Sequence, residues 1–205
     1  MTVSTSAFHA LADSYLESLQ SCFTSQVLKA VEQLAETLRA AWVEDRQVFI
    51  CGNGGSAANA LHIANDLHYG IGACGPAPRL PGLRVEALSA NSAILTCLAN
   101  DTGYESIYAH QLEVKAHPGD VLIVLSGSGN SSNVVRALQL GRQFGLTTFA
   151  ITAYEGGDCS RLADVSIHIA RNDMQIAEDS QLIVGHLCMQ WLNQNKPDSI
   201  KTLSH

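Results

Sequence analysis

Two short apolar runs, "QVFIC" (47–51) and "VLIVLS" (121–126), are each followed at once by a glycine- and serine-rich turn and then by a helical pattern. Nothing else in the chain narrows its fold as much. A run of apolar, largely β-branched residues has no side to give to water, so each reads as a strand covered on both faces. "RVEAL" (84–88), "TTFAIT" (147–152) and "VSIHIA" (165–170) continue the series, making five strands with helical patterns between them. That alternation predicts an α/β fold, a single parallel sheet flanked by helices.

The helical segments are expected at about 8–45, 93–114 and 174–195. In the first, Leu16, Leu19, Val27, Val31, Leu34, Leu38 and Trp42 recur by threes and fours, and Ser25 is a candidate cap for a second helix. Residues 1–45 therefore read as an N-terminal helical arm, 46–195 as the one domain, and 196–205 as a tail. The apolar stripe of the arm is longer than one face of a 205-residue chain would bury, so self-association is expected. The segment 70–83, "GIGACGPAPRLPGL", holds four glycines and three prolines and reads as an irregular, mobile lid.

A net charge of −7 removes nucleic acid and anionic membranes as natural direct partners. An anionic substrate would have to be held by local dipoles and hydroxyls. No stretch approaches the length of a membrane span, and the first residues lack the basic-then-apolar order of a signal peptide. Six cysteines (Cys22, Cys51, Cys74, Cys97, Cys159 and Cys188) are scattered singly, without a CxxC, and are expected to be buried thiols of a cytoplasmic protein.

The two turns carry the first functional signal. Gly52-Asn53-Gly54-Gly55-Ser56-Ala57 formally fits the dinucleotide pattern G-x-G-x-x-A, but no acidic residue follows at the distance a ribose requires. Ser126-Gly127-Ser128-Gly129-Asn130-Ser131-Ser132 lacks the Gly-Lys-Ser/Thr of a nucleotide P-loop. What remains suits a phosphate monoester: converging backbone N–H groups, several hydroxyls and a helix N-terminus. The bland alternative is a loop whose serines merely cap helices.

The second signal is His62 and Asp66, four residues apart and so on one helix face, a pair suited to a metal or to proton transfer. An isolated HxxxD is also what a surface hydrogen-bonded pair looks like. His186 stands in "LIVGHLCMQWL", where an apolar residue would be usual. Helical spacing brings Asp179 about 20° from its direction and Glu178 about 80°, at ~100° per residue, so both acids stay open as its partner.

"CGNGGSAANALH", "LTCLANDTGYESIYAHQL", "GDVLIVLSGSGNSSNVVRAL" and "IAEDSQLIVGH" resemble, in order and spacing, the sugar isomerase (SIS) domain, and within it the phosphoheptose isomerases. The resemblance implies a flavodoxin-like five-stranded parallel sheet, a homotetramer, and interconversion of sedoheptulose 7-phosphate with its aldose. It implies phosphate or substrate contacts at Asn53, Gly54, Gly55, Ser56, Asn91, Ser92, Ser126, Ser128 and Ser131. It also implies a metal set, zinc by its donors, at His62, Asp66, Glu178 and His186, with Asp66 as base and His186 as acid. The chain departs from that family at Gly127 (threonine there), Asn91 (aspartate), Asp66 (glutamate) and Glu178 (glutamine). The competing expectation is a non-catalytic SIS module that senses a sugar phosphate or docks on a replication initiator. Such relatives typically lack the last-helix histidine, which is present here as His186.

Overall fold

The computed structural model describes residues 5–73 and 79–201. Cys74, the middle of the segment 70–83 and the end of the tail lie outside the described residues. Five parallel strands, β1 (Gln47–Gly52), β2 (Arg84–Ala87), β3 (Val121–Ser126), β4 (Thr147–Thr152) and β5 (Val165–His168), stand in the order β2-β1-β3-β4-β5. This is the flavodoxin-like order, with the reversal of direction between β1 and β3.

Strand geometry sends alternate side chains to opposite faces, and the core divides accordingly. Val48, Ile50, Val121, Ile123, Leu125, Phe149 and Ile151 pack on one side. There they meet α2 (Ser25–Glu44), α3 (Gly55–Asn65) and α9 (Met174–Gln194). Phe49, Cys51, Leu122, Val124 and Ala150 pack on the other. Their cover is α6 (Ala109–Lys115), α7 (Ser132–Gln143) and α8 (Gly157–Leu162). Both faces are covered, so the central strands β1 and β3 are apolar nearly throughout.

The arm consists of α1 (Thr5–Ser21) and α2, with Thr24 rather than Ser25 as the cap: its hydroxyl accepts from the Val27 N–H. The stripe of α2, from Val27 to Trp42, is buried in the domain's own core. It is α1 that stands out, with Phe8, Leu11 and Leu16 each more than 60% exposed. One clasp holds α1 to α9. The Tyr15 hydroxyl donates to Asp179 Oδ2 at 2.6 Å, and that bond pushes its pKa up to about 12.

Four expectations need correction. The helix expected over 93–114 is broken at Gly103, whose φ of +93° suits glycine. It becomes α5 (Ser92–Thr102), a 3₁₀ turn (Tyr104–Ser106) and α6. Helix α8 was not expected at all. Cys97 is exposed, because α5 buries none of its residues fully. The described part of the segment 70–83 is docked rather than loose. Residues Ile71–Ala73 form a short helix, α4. Beyond it, Leu80 N–H donates to Gly72 O, Leu83 N–H to Leu67 O, and the Trp42 indole to Pro81 O.

Candidate active site

Strands β1 and β3 are neighbours, with Gly52 paired to Leu125, so the glycine turn and the serine turn emerge side by side at the carboxyl edge of the sheet. Open α/β sheets bind ligands at this edge, where the strand order reverses.

The serine turn is built by its own hydroxyls. Ser126 Oγ accepts from Gly129 N–H at 3.1 Å and Ser128 Oγ from Asn130 N–H at 3.3 Å. Ser126 is buried, whereas Ser128 is exposed. Ser131 is the residue before α7, yet its hydroxyl makes no capping bond, which leaves it free to face a ligand. Gly127 is covered by Met174: a Cβ there would stand 2.9 Å from the thioether sulfur. Beside it Tyr154 adopts a left-handed backbone, φ +49°, with its carbonyl accepting from His168 Nε2 at 2.8 Å.

In the glycine turn, Asn53 points toward α7, and Ser56 turns inward, 5% exposed, where its hydroxyl accepts from Gln181 Nε2 at 3.1 Å. Gly54 is exposed, with φ at +55°. Gly55 is a close approach, since a Cβ there would overlap the Glu178 carboxylate of α9. Asn91 is exposed and caps α5, its Oδ1 accepting from the N–H groups of Ala93 and Ile94, with Ser92 exposed beside it.

Helices α3 and α9 run side by side in the same direction: Gly55 meets Glu178, Asn59 meets Gln181 and Ile63 meets Gly185. Two turns along, this parallel packing brings His62 and His186 together although 124 residues separate them, with their Nε2 atoms 2.9 Å apart. Asp66 Oδ2 stands 3.5 Å from His62 Nε2 and 3.6 Å from His186 Nε2. Directly after Asp66 the helix widens into a π-turn (Asp66–Gly70), a local device frequent at functional sites.

His62, Asp66 and His186 are thus one cluster whose ligand atoms lie within 4.8 Å of one another. Glu178 is not in it; its carboxylate is at Gly55. Asp179 is engaged by Tyr15 on the arm. Two imidazoles and one carboxylate, half open to solvent, fit zinc with a free coordination position. Sequence reasoning missed Asn133 and Tyr104, which bond Asn53, and Met174 over the serine turn. Asn133 follows a serine run and reads as one more turn residue, so no sequence signal sets it apart.

The family model for the SIS domain matches residues 12–153. A phosphoheptose isomerase of Mycobacterium tuberculosis is 38% identical over 160 residues, covering 78% of this chain and 79% of that one. Another, of Trichlorobacter lovleyi, is 34% identical over 180 residues, covering 87% and 86%. Phosphoheptose isomerase GmhA from Neisseria gonorrhoeae shares the fold, with a TM-score of 0.83 over 94% of this chain and 100% of that chain at 24% identity. With the domain model spanning most of its length and relatives aligned across more than three quarters of it, the chain belongs to the SIS domain family, alongside the phosphoheptose isomerases.

Proposed function

We propose that this protein is an aldose–ketose isomerase of a sugar phosphate, with sedoheptulose 7-phosphate as its substrate. The observation that carries the reading is the meeting of His62, Asp66 and His186 on two parallel helices that start beside a phosphate-type turn. From Gly55 to His62 is seven residues, about 10 Å of helix at ~1.5 Å per residue. The reach from the carbonyl carbon to the phosphorus of a heptose 7-phosphate is about seven bonds of ~1.5 Å, on the same scale.

Phosphate is held at the serine turn by Ser126, Ser128 and Ser131 and by the N-terminus of α7. Asp66 removes the C1 proton of the ketose, the electron pair forms a C1–C2 double bond, and O2 takes a proton from His186. Asp66 then returns its proton to C2 while the O1 proton passes back to His186, which leaves the aldehyde at C1. Zinc held by His62 and Asp66 would supply a Lewis acid for the carbonyl, with His186 Nε2 kept off the metal to carry the proton. Only Oδ2 of Asp66 faces the imidazoles, which leaves Oδ1 to take the proton.

The side chains of His62 and His186 are 50% and 46% exposed, which supports a site closed by a second copy of the chain. The apolar residues on α1 supply a surface for a homotetramer, and sedimentation that finds a monomer at micromolar concentration would remove that part of the proposal. Among the described residues no helix is long and apolar enough to cross a membrane. All five described cysteines are free thiols, which suits the cytoplasm. The deciding experiment incubates the protein with C5 to C7 ketose phosphates and reads aldose formation by NMR. Formation of the heptose aldose is expected, and no isomerisation of any member would reject the enzyme.

A further inference from the structure

Asn53 is held by two side chains, Asn133 and Tyr104, and the first decides which way its amide faces. The chain of reasoning starts at Val134, whose backbone N–H can only donate. The Asn133 atom that faces it at 3.0 Å is therefore the oxygen, Oδ1. The same oxygen accepts from Asn53 Nδ2 at 2.9 Å, and Asn133 Nδ2 returns a bond to Asn53 Oδ1 at 2.9 Å. The Tyr104 hydroxyl donates to that same Asn53 oxygen, also at 2.9 Å. With Asn133 fixed by Val134, a reversed Asn53 amide would set N–H against N–H and oxygen against oxygen, so one orientation alone satisfies the pair, and the Tyr104 hydroxyl adds a further bond to it.

An amide nitrogen carries two hydrogens, and only one of those on Asn53 Nδ2 is used within the clamp. The second is not used by the clamp, and the turn that carries it emerges beside the serine turn. Asn133 is 1% exposed and is the second residue of α7, so the clamp is anchored in the interior at the positive end of that helix. Below it the buried Tyr108 hydroxyl donates to Gly52 O, holding the backbone of the same turn. Tyr104 is the one outer member, 55% exposed.

We propose that Tyr104 and Asn133 are positioning residues that hold Asn53 so that its free amide N–H donates to an oxygen of the substrate phosphate. The inference rests on the serine turn as the phosphate site. Asn53 is already among the contacts the resemblance implies; what is added is the pair of residues that steady its amide, with a tyrosine at the lip as the outer one. Tyr104→Phe removes the hydroxyl and nothing else, so Asn53 keeps its paired bonds to Asn133 but Oδ1 loses its second donor and the amide is held less firmly.

The test is a double-mutant cycle read by titration with inorganic phosphate, a probe that needs no turnover. Tyr104→Phe is expected to weaken phosphate about 3- to 10-fold, the scale of one neutral hydrogen bond. In an Asn53→Ala background the same substitution is expected to change nothing, because there is no amide left to aim. Thermal melting of each variant checks that the fold is kept. A Tyr104→Phe protein with native phosphate affinity overturns the proposal, and so does an effect that persists undiminished without the Asn53 amide. Loss of the underlying reading looks different: native protein that binds no phosphate, or binds it equally well after Ser128→Ala, dismisses the serine turn itself.

Discussion

Replacing Asp66 tests the chemistry most directly. Its Oδ2 lies 3.5 Å from His62 Nε2 and 3.6 Å from His186 Nε2, outside the hydrogen-bonding range of about 2.7–3.2 Å. Glutamate would extend the carboxylate by one C–C bond, about 1.5 Å, more than enough to close that gap. A displacement of about 1 Å at a reacting group can change a rate by about 100-fold. Asp66→Glu is therefore expected to raise kcat/KM on sedoheptulose 7-phosphate, by up to about 100-fold, relative to the native protein. Asp66→Asn keeps the size but cannot take the proton, and loss of a general base costs about 100- to 10,000-fold in kcat. Phosphate affinity should stay within about twofold, because one neutral hydrogen bond at the serine turn is worth more than that. The assay is NMR-monitored aldose formation alongside phosphate titration of both variants. Full turnover in Asp66→Asn would refute the reasoning and move the base to Glu178, since Asp179 is already engaged by Tyr15.

Ser128→Ala should weaken substrate and inorganic phosphate alike by about 0.5–1.5 kcal/mol, and more if the bond is charge-assisted; calorimetric titration decides, and unchanged affinity would contradict the turn's assignment. Zinc should accompany the untagged native protein and be lost from His62→Ala, as elemental analysis can show; equal metal in both would place the ion elsewhere. Among the described cysteines Cys97 should be alkylated first, with peptide mapping to identify it. Cys159 and Cys188 are pushed up to about 12 by burial and have almost no thiolate at pH 8. The hydrogen bond from Cys97 to Asp101 raises that thiol too, so labelling should accelerate only as pH rises past the ordinary thiol range. Modification of Cys188 ahead of Cys97 in native protein would contradict the burial.

The central strands were legible because both faces are covered and their runs are mostly apolar; "VLIVLS" and "TTFAIT" became β3 and β4 with the expected bounds. Helix α8 was not, because "GDCSRL" is one and a half turns with no apolar stripe to read. His62 and Asp66 could be paired by helical spacing alone. His186 could not, because what joins it to them is the parallel packing of α3 on α9, a tertiary fact. The same packing decides between the acids of α9 in a way no helical wheel could: residue 178 meets the start of α3, and residue 179 turns to the arm. The Asn53 clamp was invisible for a related reason. Its members come from the turn after β1, from α7 and from the turn after α5, and none has a composition unlike a surface loop.

The contact between Glu178 and Gly55 gives the cleft a polarity. Both turns have the backbone form that attracts an anion, but the glycine turn already has one, supplied by α9. A phosphate approaching it would meet a like charge, opposed by about 4 kcal/mol per pair of unit charges at ~4 Å in partly screened surroundings. At Gly127 the serine turn is covered instead by the neutral side chains of Met174 and Tyr154. A ligand with one charged end and one neutral end can therefore lie across the two turns in a single direction, its anionic end on α7 and its hydroxyls toward α3. A bisphosphate, charged at both ends, is therefore expected to bind more weakly than a monoester, which a competition titration between the two would check.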